Sequence, residues 1–343
     1  MTSLLPTRQL GMNGPQVTEL GFGLMGLHAF YGPPTPDPEC FALLDRALEL
    51  GCTFWDTSNI YGGNEDMLNR YFKARPGARS KVFLATKFAI WVDPATGTPA
   101  PRGDYDFTIE AGNKAPERLG VDSVDLFYVH RIDTKTPIEI TMRALVQLKN
   151  EGKIKHIGLS ECSADTLRRA CAVHQVAALQ IEYSPFCLDI EHEDVGLLKA
   201  CRDLGVAIVA YSPLSRGILS GRIRSTADMD ETDFRRIAPR YSPENFAKNL
   251  ELVDKFAAIA KSKGATPGQL ALAWLLAQDD LVIPIPGTTR IANLEENIAA
   301  SKVKLTSDEV KQIRVFVDSA DVKGERYPSQ FLKGVIADTP PLE

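Results

Sequence analysis

The stretch "GFGLMG", residues 21–26, decides the fold, because it is a literal G-x-G-x-x-G reached through a short apolar approach. Read as a dinucleotide fingerprint, it requires a helix whose first N–H groups meet a pyrophosphate. The next residues are "LHAFYGPPTPDPE", and prolines at that density forbid a continuous helix. The acidic residue that should follow a second strand is misplaced as well. Asp45 and Glu49 fall on an amphipathic run, where they form its wet face. The motif therefore fails its structural context, and "ELGFGLM" (19–25) reads as a strand that exits into a loop.

Seven further strand-like runs follow it: "TFWDT" (53–57), "VFLATKF" (82–88), "VDLFYVH" (124–130), "KHIGLS" (155–160), "ALQIEY" (178–183), "AIVAYS" (207–212) and "LVIPIP" (281–286). Their β-branched and aromatic residues do not alternate with polar ones, which suits parallel strands buried on both faces. Amphipathic helices are expected over 38–50, 64–74, 137–151, 163–174, 192–204 and 291–300. A further helix-like run, "FTIEAGNKAPERLG", carries Gly112 and Pro116, which should shorten or kink it. Eight strands with helical crossovers and no linker point to a single α/β domain over 1–343, a closed (β/α)8 barrel of the TIM type. An open doubly wound sheet is the alternative.

Three segments depart from the repeat. Residues 1–18 hold two short runs around "GMNG", a hairpin signal. A charged loop (222–244) and two helical runs (245–263 and 268–278) separate the seventh strand from the eighth, and a loop of that length is usually functional. A capped helix over 306–319 is followed by a polar tail, 320–343.

Composition bounds the function. The 343 residues are 44% hydrophobic and carry a net charge of -5, which argues against capture of nucleic acid or acidic membrane. No apolar run suits a membrane span and no secretory signal is visible. The cysteines at 40, 52, 162, 171, 187 and 201 show no metal spacing, so a reduced, cytoplasmic protein is expected. Oligomeric state is left open.

Catalytic groups of a barrel project from the C-terminal ends of its strands. Those ends supply Asp56 and Tyr61 from "WDTSNIYG", Lys87 from "ATKF" and His130 from "YVHR". Each polar group ends or follows an apolar run, an expensive place to leave it unpaired. Together they make an acid catalyst. A neighbouring ammonium, Lys87, favours the phenolate of Tyr61, Asp56 holds that lysine protonated, and His130 orients a carbonyl oxygen. Taken singly, each has a bland reading: Asp56 a turn cap, Tyr61 a rim aromatic, Lys87 a salt-bridge partner, His130 a satisfied core histidine. Successive strand ends bearing all of them favour the joint reading.

With these residues the chain resembles the aldo-keto reductase superfamily. "DTSNIYG", "ATKF", "DLFYVHR", "GKIKHIGLSE", "LQIEYSPF", "VAIVAYSPLSRGILSG" and "IPIPGTTRIANLEENI" match its signatures in order, from about residue 7 to 318. The last segment is similar to the branch that holds pyridoxal and aldehyde reductases. The resemblance implies a catalytic tetrad of Asp56, Tyr61, Lys87 and His130, and NADPH held without a Rossmann fold. Ser160 and Gln180 would hold the nicotinamide carboxamide, Tyr211 would stack on its ring, Gly23 would allow close packing at the cofactor, and Leu24 and Met25 would approach its ribose. Ser212, Pro213, Leu214, Arg216 and Gly217 would face the pyrophosphate. Gly287, Thr288, Thr289 and Arg290 would grip a 2'-phosphate, and Glu296 and Asn297 the adenine. Phe30, Tyr31, Phe88, Trp91 and Arg131, with residues near Met25, the long loop and the tail, would line the pocket for a small-molecule carbonyl.

Some positions depart from the family pattern. Glu161 stands where many members carry Asn, Asn293 where a basic residue is usual, and Ala89 where an aromatic is common. The implied activity is NADPH-dependent reduction of aldehydes or ketones. The alternatives are a lyase using Lys87 as a Schiff base and a cofactor-binding regulatory subunit of a channel.

Overall fold

The structure is a computed structural model that describes residues 5–332 and 334–343. Eight parallel strands form one curled sheet: β1 (Phe22–Gly23), β2 (Phe54–Asp56), β3 (Phe83–Phe88), β4 (Val124–Val129), β5 (Ile154–Ser160), β6 (Ala178–Glu182), β7 (Ala207–Tyr211) and β8 (Val282–Pro284). Each pairs with its sequence neighbours. The two ends then meet, because Gly21 N–H donates to the Pro284 carbonyl at 2.9 Å and Gly23 N–H to the Pro286 carbonyl at 3.2 Å. The expected (β/α)8 architecture is therefore present, and the glycines of the opening motif lie on its seam. A Cβ on Gly23 would sit 2.8 Å from the Ile285 carbonyl oxygen, and one on Gly21 would sit 2.8 Å from Ile285 Cγ2. Side chains there would hold the first and last strands apart.

The helices follow the apolar periodicity: α1 (Asp37–Glu49), α2 (Asn64–Ala74), α3 (Tyr105–Leu119), α4 (Ile138–Asn150), α5 (Ala164–Val173), α6 (Leu197–Leu204), α7 (Pro243–Ser262), α8 (Pro267–Leu276), α9 (Ile291–Ala299) and α10 (Ser307–Ser319). Asp104, Ser163, Ser242, Thr266 and Thr306 cap α3, α5, α7, α8 and α10 by accepting N–H bonds from the first turn. α3 corrects the expectation of a shortened helix. It runs unshortened through Gly112 and Pro116 and stops at Gly120, whose φ is 66°. Gly112 is a contact point, since a Cβ there would lie 2.2 Å from Leu148 Cδ1 on α4. The missing side chain lets the two helices close on each other.

Two hairpins complete the molecule. Thr7–Gln9 pairs antiparallel with Gln16–Thr18 across the "GMNG" turn. The hairpin drives the fully buried Leu10 among Phe54, Ala85, Leu126, Val209 and Ile283, which closes the barrel floor. The second hairpin, Ile90–Val92 with Pro99–Pro101, was not expected. Its turn is held by the Asp93 carboxylate, which accepts from Ala95 N–H at 2.8 Å. Its sequence signal was the turn cluster "DPATG".

Gly23→Ala is expected to lower stability by about 1–3 kcal/mol through overpacking of the seam, measured as the midpoint of denaturant unfolding. An unchanged or higher midpoint would remove the seam argument.

Candidate active site

Strand parity selects which side chains enter the barrel mouth. Lys87 on β3 points inward and is fully buried. Its neighbour Phe88 points outward, stacked on Phe127 with ring centroids 4.8 Å apart and beside Phe107 of α3. Phe88 thus belongs to the sheet–helix core and not to a substrate pocket, because successive residues of a strand face opposite sides.

Around Lys87 the expected cluster assembles. Its Nζ donates to Asp56 Oδ1 at 2.5 Å, to the Thr57 carbonyl at 2.8 Å and to the Tyr61 hydroxyl at 3.4 Å. Gln180 on β6 donates to the other Asp56 oxygen at 2.8 Å. The turn after β2 presents Tyr61: its N–H donates to the Ser58 carbonyl at 3.2 Å, and α2 begins at Asn64. His130 follows β4, its N–H donating to the Phe88 carbonyl at 2.9 Å. Its Nδ1 lies 3.0 Å from Ser58 Oγ, and its ring stands edge-on to Tyr61 at 5.7 Å.

Electrostatics sharpen the picture. Burial pushes the Asp56 carboxyl up and the Lys87 ammonium down, and each opposes the other's shift through their contact. Burial and the Asp56 charge push the Tyr61 phenol well up, against the pull of Arg131. The lowering expected from Lys87 does not appear: desolvation of the enclosed phenolate dominates. Burial, with Lys87 and Arg131 nearby, holds His130 well below the ordinary imidazole range, so it is neutral at neutral pH.

The cofactor-type residues fall along one path over the mouth. Ser160 and Gln180 are register partners on β5 and β6, and Tyr211 is opposite Glu182 on β7. The buried Ser160 Oγ has no hydrogen-bond partner among the described residues, an orphan that a carboxamide would satisfy. Met25 begins a one-turn helix beyond β1, and Leu24 N–H donates to the Asp56 carbonyl at 2.9 Å. Gly287 touches Gly23 across the seam, and Thr288, Thr289 and Arg290 lead into α9, with Arg290 exposed.

Ser212, Ser215 and Arg216 adopt positive φ (49°, 47° and 56°) around Pro213 and Leu214, and Gly217 continues the turn at 96°. The Arg216 side chain does not face outward. It lies 4.2 Å over the Tyr327 ring and 3.6 Å from Glu182. Glu296 accepts from Thr266 Oγ1 at 3.0 Å and pairs with Arg222, which also reaches Asn293. Asn297 is buried beside it on α9.

Of the pocket candidates, Phe30 packs edge-on against both Tyr61 and Phe234, each at 6.3 Å. Tyr31 lies under Arg235, 4.4 Å from its guanidinium. Trp91 sits on the second hairpin with the Arg102 guanidinium 5.4 Å from its ring. Arg131 is half-buried beside His130.

The tail was expected to line the pocket, but its individual residues and their contacts were not legible in the sequence. Arg326, 4% exposed, donates to both oxygens of the fully buried Glu161 at 2.9 and 3.3 Å. Tyr211 donates to the same carboxylate at 2.7 Å, and the Tyr211 and Tyr327 hydroxyls meet at 3.2 Å. Nothing local in "GERYPSQF" marks these residues. The one clue was Glu161 itself, an acid at a strand end where an amide is usual.

Parallel barrels keep their active sites at the C-terminal ends of the strands, and the cluster lies there, so the molecule has the build of a barrel enzyme. The chain belongs to the aldo/keto reductase family, whose model matches residues 19–318, and is accordingly an oxidoreductase. It is 51% identical over 340 residues to the Schizosaccharomyces pombe aldo-keto reductase yakc, whose name carries NADP(+); the match covers 98% of this chain and 99% of that one. It is 48% identical over 344 residues to the aldo-keto reductase str7 of Strobilurus tenacellus, covering 98% and 99%. Its fold matches the crystal structure of a thermostable aldo-keto reductase, Tm1743, in complex with the inhibitor epalrestat. That match has a TM-score of 0.71 and 29% identity and covers 91% of this chain and all of the other. Among the described residues no helix is long and apolar enough to cross a membrane.

Lys87→Met is expected to destabilise the fold by about 3–5 kcal/mol, because it strands the Asp56 carboxylate without its partner. The additional change Asp56→Asn should recover part of the loss. Equal unfolding midpoints for Lys87→Met and the parent would show that the pair carries no net weight.

Proposed function

We propose that the protein reduces aldehydes or ketones to alcohols with NADPH, and that Tyr61 is the proton donor. The observation that carries this is the cluster itself: one phenol, kept protonated, beside a fully enclosed lysine–aspartate pair and a neutral imidazole. NADPH, when bound, supplies the hydride.

The chain's own residues supply position and a proton. Tyr61 offers its hydroxyl proton to the carbonyl oxygen. Lys87, 3.4 Å from the Tyr61 hydroxyl oxygen and held by Asp56, compensates the charge left on that oxygen when the proton departs. His130 is neutral. In the tautomer whose Nδ1 accepts from Ser58, its Nε2–H is free to donate to the carbonyl oxygen and fix its orientation. Ser160 and Gln180 are the residues that would hold the carboxamide, and Tyr211 the ring. With Arg216 committed to Glu182, the pyrophosphate falls to the backbone of residues 212–217, and Arg290, Thr288 and the start of α9 are left for the 2'-phosphate. Glu296 and Asn297 remain the adenine contacts in this reading. The NADP(+) in the name of the S. pombe relative supports the cofactor choice.

The Schiff-base reading loses support on the same geometry. All three Nζ protons of Lys87 have acceptors, and the group has no exposed surface from which to attack a carbonyl.

Three outcomes test the reading. Tyr61→Phe should cut NADPH-dependent reduction by at least about a thousandfold, at the strong end for loss of a proton donor, while fluorescence titration finds NADPH affinity nearly unchanged. Substantial residual turnover would sink the assignment. Arg290→Ala should raise the Kd for NADPH far more than that for NADH; equal effects would remove Arg290 from the phosphate site. The pH profile carries a sign. Tyr61 is raised, so its proton stays on as pH rises; His130 is lowered, so it is already neutral as pH falls. Reduction should therefore be flat between roughly pH 6 and 9, where free imidazole would titrate at the lower end. An acid limb near the ordinary imidazole value would contradict the neutral His130.

A further inference from the structure

Five arginines and one lysine gather at the barrel mouth, and all but one are matched by a carboxylate. Lys87 is held by Asp56, Arg235 by Asp233 at 2.5 Å, Arg216 and Arg240 by Glu182 at 3.6 and 3.7 Å, and Arg326 by Glu161 and by Asp189 at 3.3 Å. Arg131 has no ion pair among the described residues. It donates only to the His130 carbonyl at 2.8 Å and to the Tyr327 hydroxyl at 3.4 Å, both neutral acceptors. A guanidinium carries five donors in a rigid fork, so most of its capacity is unspent. The carboxylate whose charge it senses most directly, Glu161, is already taken by Arg326 and Tyr211.

Its place makes the surplus meaningful. Arg131 follows His130 directly in the chain, and its charge is felt by Tyr61, Lys87 and His130 alike. The other arginines in this mouth are locked by neighbouring acids. This one stands beside the proposed proton donor with a fork that matches a planar carboxylate. Tyr327 adds a hydroxyl at the same spot and is fixed there from both sides. Arg326 is clamped on Glu161, and further along Ala337 N–H donates to the Glu161 carbonyl at 2.9 Å. The loop between these two anchors presses Phe331 onto Phe234, with centroids 6.0 Å apart.

We propose that the preferred substrates are carbonyl compounds bearing a carboxylate close to the reacting group, bound by the unspent donors of the Arg131 guanidinium beside Tyr327. The proposal rests on the reductase reading and narrows its substrate class. The carbonyl oxygen goes to Tyr61 and His130, while the acid group occupies the neighbouring position and supplies the charge Arg131 lacks. The aromatic wall of Phe30 and Phe234 accommodates an apolar body between them.

The experiment compares 2-, 3- and 4-carboxybenzaldehyde with their methyl esters as substrates of the full-length protein with NADPH. A charge-assisted bidentate contact should give at least one acid a kcat/KM about tenfold or more above its ester. Arg131→Met should bring that ratio to unity or below, and Arg131→Lys should leave an intermediate value. The ratio within each variant cancels any general effect of the lost charge on Tyr61. Calorimetric titration with benzoate, against benzamide, reads the same site without turnover: binding to the parent and its loss in Arg131→Met are expected. Parity of acids and esters in the parent, or an acid preference that survives Arg131→Met, overturns the proposal. If no carbonyl is reduced at all, the reductase reading fails, and the benzoate titration still decides whether Arg131 is an anion site.

Discussion

A full positive charge with no exposed surface sits in the middle of this molecule, and the rest of the site is arranged around the need to keep it there. Lys87 cannot be solvated, so its three protons go to the Asp56 carboxylate, the Thr57 carbonyl and the Tyr61 hydroxyl. Those acceptors lie on the neighbouring strand and the turn after it. The closed sheet is what holds that strand pair in register, and Gln180, from β6 across the barrel, secures the second Asp56 oxygen. Breaking any one contact leaves a buried charge or donor unpaired, a far larger penalty than the contact's net gain when made. Those contacts fix the cluster's geometry, which suits the proton-donor role proposed for Tyr61.

Backbone strain accumulates at the same end of the barrel. Ala89, Glu161, Ser212, Ser215 and Arg216 all take positive φ, a costly conformation for residues with a Cβ. Each follows β3, β5 or β7, where the chain must leave a strand sharply to form the rim. The opposite end shows the reverse economy. There Leu10 fills the floor and the apolar interior is continuous. Stability is concentrated below and geometry above, the usual division of labour in parallel barrels.

Much of this was legible in the sequence because it depends on short-range pattern. Strand runs ending in Asp56, Lys87 and His130 revealed both the barrel and the cluster, and Gly and Pro spacing was enough to reject the nucleotide-fold reading of "GFGLMG". What escaped depends on facing and on distance along the chain. Phe88 sat next to Lys87 in the sequence, and only the alternation of the strand sends it to the other side. Gly112 looked like a defect in α3 until Leu148 appeared against it. The pairing of Arg326 with Glu161 spans most of the C-terminal half of the chain, and no periodicity encodes such a contact. The opening glycines were informative in a way the motif did not suggest: Gly21 and Gly23 mark where the last strand's backbone comes closest.

The clamp on Glu161 has a consequence for biosynthesis. Every strand and helices α1–α10, through Ser319, are made before Arg326 leaves the ribosome. Until then Glu161 lacks its principal counterion, and Tyr327 is absent from the mouth. A nascent chain can thus complete its barrel while the entrance stays open and hydrated. Emergence of a few residues then neutralises the acid and seats the tyrosine together, so that the entrance acquires its final shape as one of the last events of folding.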